Sequence, residues 1–189
     1  MGFFSLARNV ISEKVSTKYR YFVVCGGDKV RYLRSLGVRI GEGCDILNRV
    51  ENYLTEPWLI EIGNRVTVTS GVGFITHDGS SRLFRDGLPG SSPFGNRFAT
   101  IVIRDNCFIG VDSIIMPGVT IGPNSIVGVR SLVNKDVPPG VVVAGAPARV
   151  ICTLDEYIER YRQKMIPIDA KDRDALRKEL TWKLWGEER

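Results

Sequence analysis

The chain has 189 residues, 43% of them apolar and 25% charged, which suffices for one domain with a substantial core, or one solenoid with short appendages, and excludes wholesale disorder. Its net charge of +5 comes from 26 basic and 21 acidic residues without a long basic run, so nucleic acid is not an expected partner, whereas a phosphorylated cofactor is compatible. Four scattered cysteines (Cys25, Cys44, Cys107, Cys152) form no CxxC pair and no stretch reaches the ~18 apolar residues of a membrane span, so a reduced, cytoplasmic chain without stable membrane insertion is expected.

Residues 1–36 carry no short period, and several of their apolar positions suit a helix; they read as a partly helical N-terminal segment. A period of six then begins. Ile40 and Ile46 lead, with Gly41 after the first, and Cys44 and Val50 four places behind each lead. The phase is lost over the 16 residues from Ile46 to Ile62 and returns with Ile62, Val68 and Phe74. It is lost again over the 29 residues from Phe74 to Ile103, where the Gly-, Ser- and Pro-rich stretch 79–101 reads as a long loop leaving the scaffold. Six consecutive leads follow: Ile103, Ile109, Ile115, Ile121, Val127 and Val133. Four places behind each stands a small or β-branched residue: Cys107, Ser113, Val119, Ser125, Ser131 and Val137.

Such a period is neither helical (3.6) nor a simple strand alternation (2). Each hexapeptide supplies a short strand and a bend. The lead aliphatic points inward and stacks on its equivalents in neighbouring coils, roughly 4.7–4.9 Å away. The small residue sits near the corner, and three units make one triangular coil. Cys44 and Cys107 fall in the small inward column and read as core thiols.

Beyond Thr153, residues 153–189 read as a C-terminal helical segment. Leu154, Tyr157, Ile158 and Tyr161 follow helical spacing in LDEYIERYRQKM, with Thr153 and Glu156 as a capping pair and Pro167 as the stop. A second helix is expected over 170–185, and the two terminal segments are expected to cover the ends of the solenoid.

Four stretches, GVRIGEGC (37–44), EPWLIEIGNRVTVTSGVGFITHDG (56–79), IRDNCFIGVDSIIMPGVTIGPNSIVG (103–128) and SLVNKDVPPGVVVAGAPARVI (131–151), resemble the hexapeptide-repeat acyltransferases, in particular the galactoside, maltose, xenobiotic and capsular-polysaccharide O-acetyltransferase group. The resemblance implies a left-handed parallel β-helix over residues 37–152, with the loop 79–101 as an excursion. It also implies a homotrimer with active sites between subunits, acetyl-CoA as donor, and direct transfer to a sugar or polysaccharide hydroxyl.

His77, the one histidine of the chain, stands where that family has its catalytic histidine, immediately before the excursion. A hydroxyl is a weak nucleophile, and an imidazole is suited to take its proton as the new bond forms. Glu56, in EPWL, is a candidate to orient or charge-stabilise the imidazole. Asp78 is a weaker partner because adjacent strand residues face opposite ways, and Asn52 is a more distant candidate. Trp58 has an aromatic face suited to a sugar ring, although a packing role explains it better. Asn52, Trp58 and Asp78 are thus the candidate acceptor contacts.

By the same resemblance, Gly110 and Val111 match the coil that offers backbone to the pantetheine arm. Asn134, Lys135 and Arg149 match positions near the nucleotide and phosphates, where cationic side chains suit the charge. Gly145 and Ala146 match the turn near the adenine. The chain reads GVRS over 128–131 where the family commonly has GAGS, so Val129 and Arg130 bring larger side chains to the expected cofactor groove. No metal is expected: zinc-dependent carbonic anhydrases of this fold use three histidines per site, which one histidine per chain cannot supply. Two other functions fit the pattern, an N-acetyltransferase of a nucleotide-linked amino sugar and a non-catalytic hexapeptide-repeat scaffold.

Overall fold

A computed structural model of the chain describes residues 21, 23, 25–53, 55–81 and 96–186. The expected N-terminal segment up to residue 20 and the middle of the excursion, 82–95, lie outside the described residues. The chain divides into two compact units, Met1–Asp155 and Glu156–Arg189.

The first unit is mainly β and coils through three parallel sheets in rotation. One face carries β1 (Arg39–Ile40), β3 (Ile60–Ile62), β8 (Ile101–Ile103) and β11 (Thr120–Ile121). The second carries β2 (Asp45–Ile46), β4 (Thr67–Val68), β9 (Phe108–Ile109), β12 (Ile126–Val127) and β14 (Val141–Ala144), closed by the antiparallel β15 (Arg149–Thr153). The third carries β5 (Gly73–Phe74), β10 (Ile114–Ile115) and β13 (Leu132–Val133). A separate antiparallel pair, β6 (His77–Asp78) and β7 (Arg97–Phe98), opens the excursion.

The period of six is the register of these sheets. Ile62 pairs with Ile103 and Ile103 with Ile121; Ile109 pairs with Val127, and Ile115 with Val133. All eleven lead residues are at most 8% exposed, so strands of two or three residues survive because each lead packs on an apolar counterpart in an adjacent coil. The small column has a second cause besides space. Ser113 and Ser131 hydroxyls donate to the carbonyl of Gly128 (2.9 and 2.7 Å), and Ser125 donates to Pro138 O (2.8 Å), so buried hydroxyls satisfy carbonyls at the coil corners. Cys107 is buried as expected; Cys44, in the first coil, is half-buried, with its thiol against Gly63 O at 3.0 Å. Outside the core, a polar ladder pins one corner: Arg65 Nε donates to Asn106 Oδ1 (2.6 Å) and Asn106 Nδ2 to Asn124 Oδ1 (2.9 Å).

The N-terminal end of the coil is covered by helix α1 (Lys29–Ser35), capped by Asp28, which accepts from Arg31 N at 3.0 Å and inserts Leu33 beside Val38 and Ile40. The other end of the second sheet is closed by β15. Two helices complete the described chain, α2 (Leu154–Arg162) and α3 (Arg173–Trp185). Both are shorter than the sequence suggests. The turn from Lys164 N to Tyr161 O (2.8 Å) ends α2 before Pro167 is reached. Helix α3 begins at residue 173 because Asp172 accepts from Ala175 N at 2.8 Å, a cap the apolar spacing alone does not reveal.

Ile115→Ala removes a fully buried lead residue from the middle rung of the third sheet and is expected to cost about 2–5 kcal/mol in chemical denaturation. Arg39→Ala, which breaks only the exposed 3.2 Å pair with Glu61, is expected to cost less than ~1 kcal/mol in the same experiment.

Candidate functional site

Both breaks in the period fall at one corner, between the third face and the first, in consecutive coils. From Ile46 on the second face to Ile62 on the first, a regular coil needs two hexads; the chain uses four residues more. The third-face strand of that coil is replaced by a 3₁₀ turn, Val50–Tyr53, whose Tyr53 is fully buried with its ring 4.9 Å from that of Phe74. Tyr53 therefore fills the place of a lead aliphatic. Its hydroxyl donates to Asn48 Oδ1 (2.8 Å), and Asn48 and Asn52 both donate to Val72 O (3.1 and 2.6 Å), which fastens the turn to the next coil. The chain then passes Glu56 and a second 3₁₀ turn, Pro57–Leu59, to regain the first face at β3. One coil on, Phe74 leads β5, Thr76 is buried, and His77 departs into the β6–β7 hairpin.

This stacking brings together residues twenty-one apart. His77 Nδ1 lies 2.9 Å from Glu56 Oε2, and the hydroxyl of Thr76 donates to the same carboxylate oxygen. The Glu56 side chain is 15% exposed and that of His77 32%, so the acid is shielded while the imidazole keeps one open side. No described residue bonds Nε2 of the ring. Phe98, paired across the hairpin, holds its ring centroid 5.4 Å from that of His77 at 43° and is itself 54% exposed. Burial pushes the Glu56 carboxyl up, but the hydrogen bonds from Thr76 and His77, with the attraction of the imidazole, outweigh it and hold Glu56 below the usual glutamate range. An ionised carboxylate only accepts, so it selects the Nδ1–H tautomer and leaves the lone pair on Nε2.

The other expected site residues spread around this pair. Asp78 is exposed and points its carboxylate at Ser80 N (2.8 Å), a hydrogen bond that lowers its pKa; it shapes the start of the excursion and makes no contact with the imidazole nitrogens. Asn52 spends an amide hydrogen on Val72 O, a fastening role in the floor of the site. Trp58 is 61% exposed in the second 3₁₀ turn, with its Cβ beside Gly37 at the end of α1. Neither Thr76 nor Phe98 carries a sequence signal that marks it for the site. Thr76 lies two places after Phe74, and strand alternation puts it on the same inward side; Phe98 lies across a hairpin that no motif announces.

The expected cofactor residues divide between two corners. Val111 and Val129 are exposed on the corner between the second and third faces, stacked through Arg130 N to Val111 O (2.8 Å), and Gly145 and Ala146 continue that column through Leu132 N to Gly145 O (3.0 Å). Gly110 is buried beneath them, its N–H given to Val127 O at 2.8 Å, and a Cβ there would meet the Val127–Val129 backbone at 2.7–2.8 Å, so coil stacking itself requires glycine. Asn134 and Lys135 are exposed on the His77 corner, two rungs farther along. Arg149 is exposed on β15, with Nη1 on Ala148 O at 2.9 Å. Arg130 lies 3.7 Å from Asp112, an exposed pair. No cluster of three or more metal-binding side chains occurs among the described residues.

A family model described as bacterial transferase hexapeptide (six repeats) matches residues 100–135. Protein CapG of Staphylococcus aureus is 47% identical over 126 residues, covering 66% of this chain and 71% of that protein. Galactoside O-acetyltransferase of Escherichia coli K12 is 32% identical over 138 residues, covering 72% of this chain and 64% of that protein. The chain belongs to the hexapeptide-repeat acyltransferases. The crystal structure of a hexapeptide-repeat-containing acetyltransferase from Vibrio cholerae superposes on this acyltransferase with a TM-score of 0.50 at 30% identity, covering 62% of this chain and 63% of that one. The family model spans the uninterrupted hexads and stops short of His77 and Glu56, so in this acyltransferase the site itself is read from geometry.

Because the Glu56 pKa is lowered in the folded state, its ionisation stabilises the fold above the ordinary glutamate value of about 4.3, and that stabilisation is lost as pH falls through the lowered folded value. Urea midpoints of the wild type and Glu56→Gln, taken from pH 7 downwards, are therefore expected to differ most near neutrality and to converge on acidification.

Proposed function

We propose that this acyltransferase moves an acetyl group from acetyl-CoA to a hydroxyl of a sugar or polysaccharide, with His77 as general base and Glu56 holding the imidazole. The observation that carries the reading is the 2.9 Å contact between His77 Nδ1 and the shielded Glu56, which leaves Nε2 unbonded on the open side. The acceptor oxygen attacks the thioester carbon while its proton passes to Nε2. The resulting oxyanion collapses, the carbon–sulfur bond breaks, and the thiolate takes the proton back from the imidazole. The products are an O-acetyl ester and free coenzyme A, and no covalent intermediate on the enzyme is needed. Phe98 flanks the imidazole and is assigned to the acceptor side.

Coenzyme A is assigned to the opposite side of the third face, along Val111, Val129, Gly145 and Ala146, with Arg149 as a phosphate partner and Lys135, on the His77 corner, as a phosphate partner for coenzyme A held along that column of a neighbouring subunit. The exposure of Val111, Val129, Gly145 and Ala146, with the exposed cations Lys135 and Arg149, fits such a ligand; buried Gly110 supports the column from below. The named acetyltransferase relatives support the donor. We further assign the coil the left-handed sense, residues 37–152 the acyltransferase domain, and the assembly a cytoplasmic homotrimer in which a neighbouring subunit completes each site. Among the described residues no helix is long and apolar enough to cross a membrane.

His77→Ala is expected to lower kcat for coenzyme A release by about 10²–10⁴-fold while acetyl-CoA binding by calorimetry is retained. Transfer at the wild-type rate by a folded His77→Ala protein contradicts the base assignment. Hydroxyl acceptors are expected to outpace matched amino-sugar acceptors in the same assay; the reverse order favours N-acetylation.

A further inference from the structure

Among the described buried serines and threonines, Thr76 alone donates its hydroxyl to a side chain. It is 1% exposed, two residues after the lead Phe74, at a place whose counterparts in the next coils of the third face, Pro117 and Lys135, are not buried. Its hydroxyl does not go to a corner carbonyl, as those of Ser113, Ser125 and Ser131 do. It donates to Glu56 Oε2, the oxygen that faces His77 Nδ1. Glu56 occupies the cap position of the second 3₁₀ turn yet makes no side-chain hydrogen bond to that turn, so among the described residues Thr76 and His77 alone orient its carboxylate. The main chain of Thr76 is itself anchored, since its carbonyl accepts from Ala99 N at 3.0 Å.

We propose that Thr76 is a positioning residue, which fixes the Glu56 carboxylate and through it keeps His77 in the tautomer with its lone pair on Nε2. The inference rests on the reading of His77 as base. Thr76 touches neither the imidazole lone pair nor a reacting atom; it acts through a carboxylate that can only accept hydrogen bonds while ionised. Without the threonine hydroxyl the carboxylate keeps a single tether, the histidine it is meant to orient. The imidazole then samples the Nε2–H tautomer, in which the atom facing the acceptor already carries a proton.

The single histidine makes the test direct, because long-range ¹H–¹⁵N correlation spectra of the full chain contain one imidazole. Spectra near neutral pH are compared for the wild type, Thr76→Val, which keeps the shape and loses the donor, and Thr76→Ser, which keeps the donor. The wild type and Thr76→Ser are expected to show the Nδ1–H tautomer and Thr76→Val a mixture with Nε2–H. Thr76→Val is expected to lose roughly ten-fold in kcat with the acceptor KM little changed, and Thr76→Ser to recover most of the loss. A Thr76→Val protein with the wild-type tautomer overturns the proposal, as does an equal loss of kcat in the Ser and Val variants. The tautomer is read without turnover, so a failed base assignment, seen as transfer by His77→Ala, is a separate result.

Discussion

Stacking of like on like governs this chain. Each coil contributes strands of two or three residues, too short to persist alone, and each persists because a buried aliphatic meets its counterpart one coil away in register, as Ile109 does between Val68 and Val127. The cooperative unit is therefore the column. Two consequences follow for function: residues far apart in sequence become neighbours whenever they occupy the same corner of adjacent coils, and the chain can depart from the repeat at a corner, or elsewhere only where another apolar side chain fills the place of the missing lead.

The site uses both. The two departures, four extra residues before Ile62 and a longer one before Ile103, occur at the same corner one coil apart. The first leaves Glu56 there and compensates the missing strand with Tyr53, whose ring supplies the apolar volume and whose hydroxyl is satisfied by Asn48. The second releases His77 directly above. The carboxylate is shielded from water, and burial by itself would favour its neutral form; two donors keep it charged instead. That charge selects the imidazole tautomer, so the protonation pattern of the pair is a product of coil geometry.

Much of this is legible in the sequence, because a repeat with one residue class per column writes its core directly into the order of amino acids. The leads from Ile40 to Val133 are all buried where the period puts them, and the break before Ile103 marks the departure at His77. What is not legible depends on counting coils across a break. Glu56 is readable as a candidate from its surroundings in EPWL, yet its contact with His77 depends on how the four extra residues are absorbed, which the 3₁₀ turn and Tyr53 decide. Thr76 is hidden for a related reason: two places after a lead the other third-face coils have the unburied Pro117 and Lys135, and only the three-dimensional course of Glu56 gives the threonine hydroxyl a destination. Asn52 and Asp78 are polar, but their described side-chain hydrogen bonds go to backbone, with Val72 O for Asn52 and Ser80 N for Asp78. The eight residues matched to the cofactor do not share one place: Asn134 and Lys135 lie at the His77 corner, Arg149 on β15 and the rest at or beneath the corner between the second and third faces, because a matched motif does not say which bend each hexad makes.

The account stands on the protonation state of one ring. Following the His77 ¹³C-labelled imidazole signal through a pH titration gives the pKa of the free enzyme's histidine, and the acidic limb of kcat/KM for acetyl transfer gives that of the group which must be unprotonated for reaction. The two midpoints are predicted to coincide. Transfer that continues undiminished at pH values where the titration shows the ring fully protonated would contradict the account.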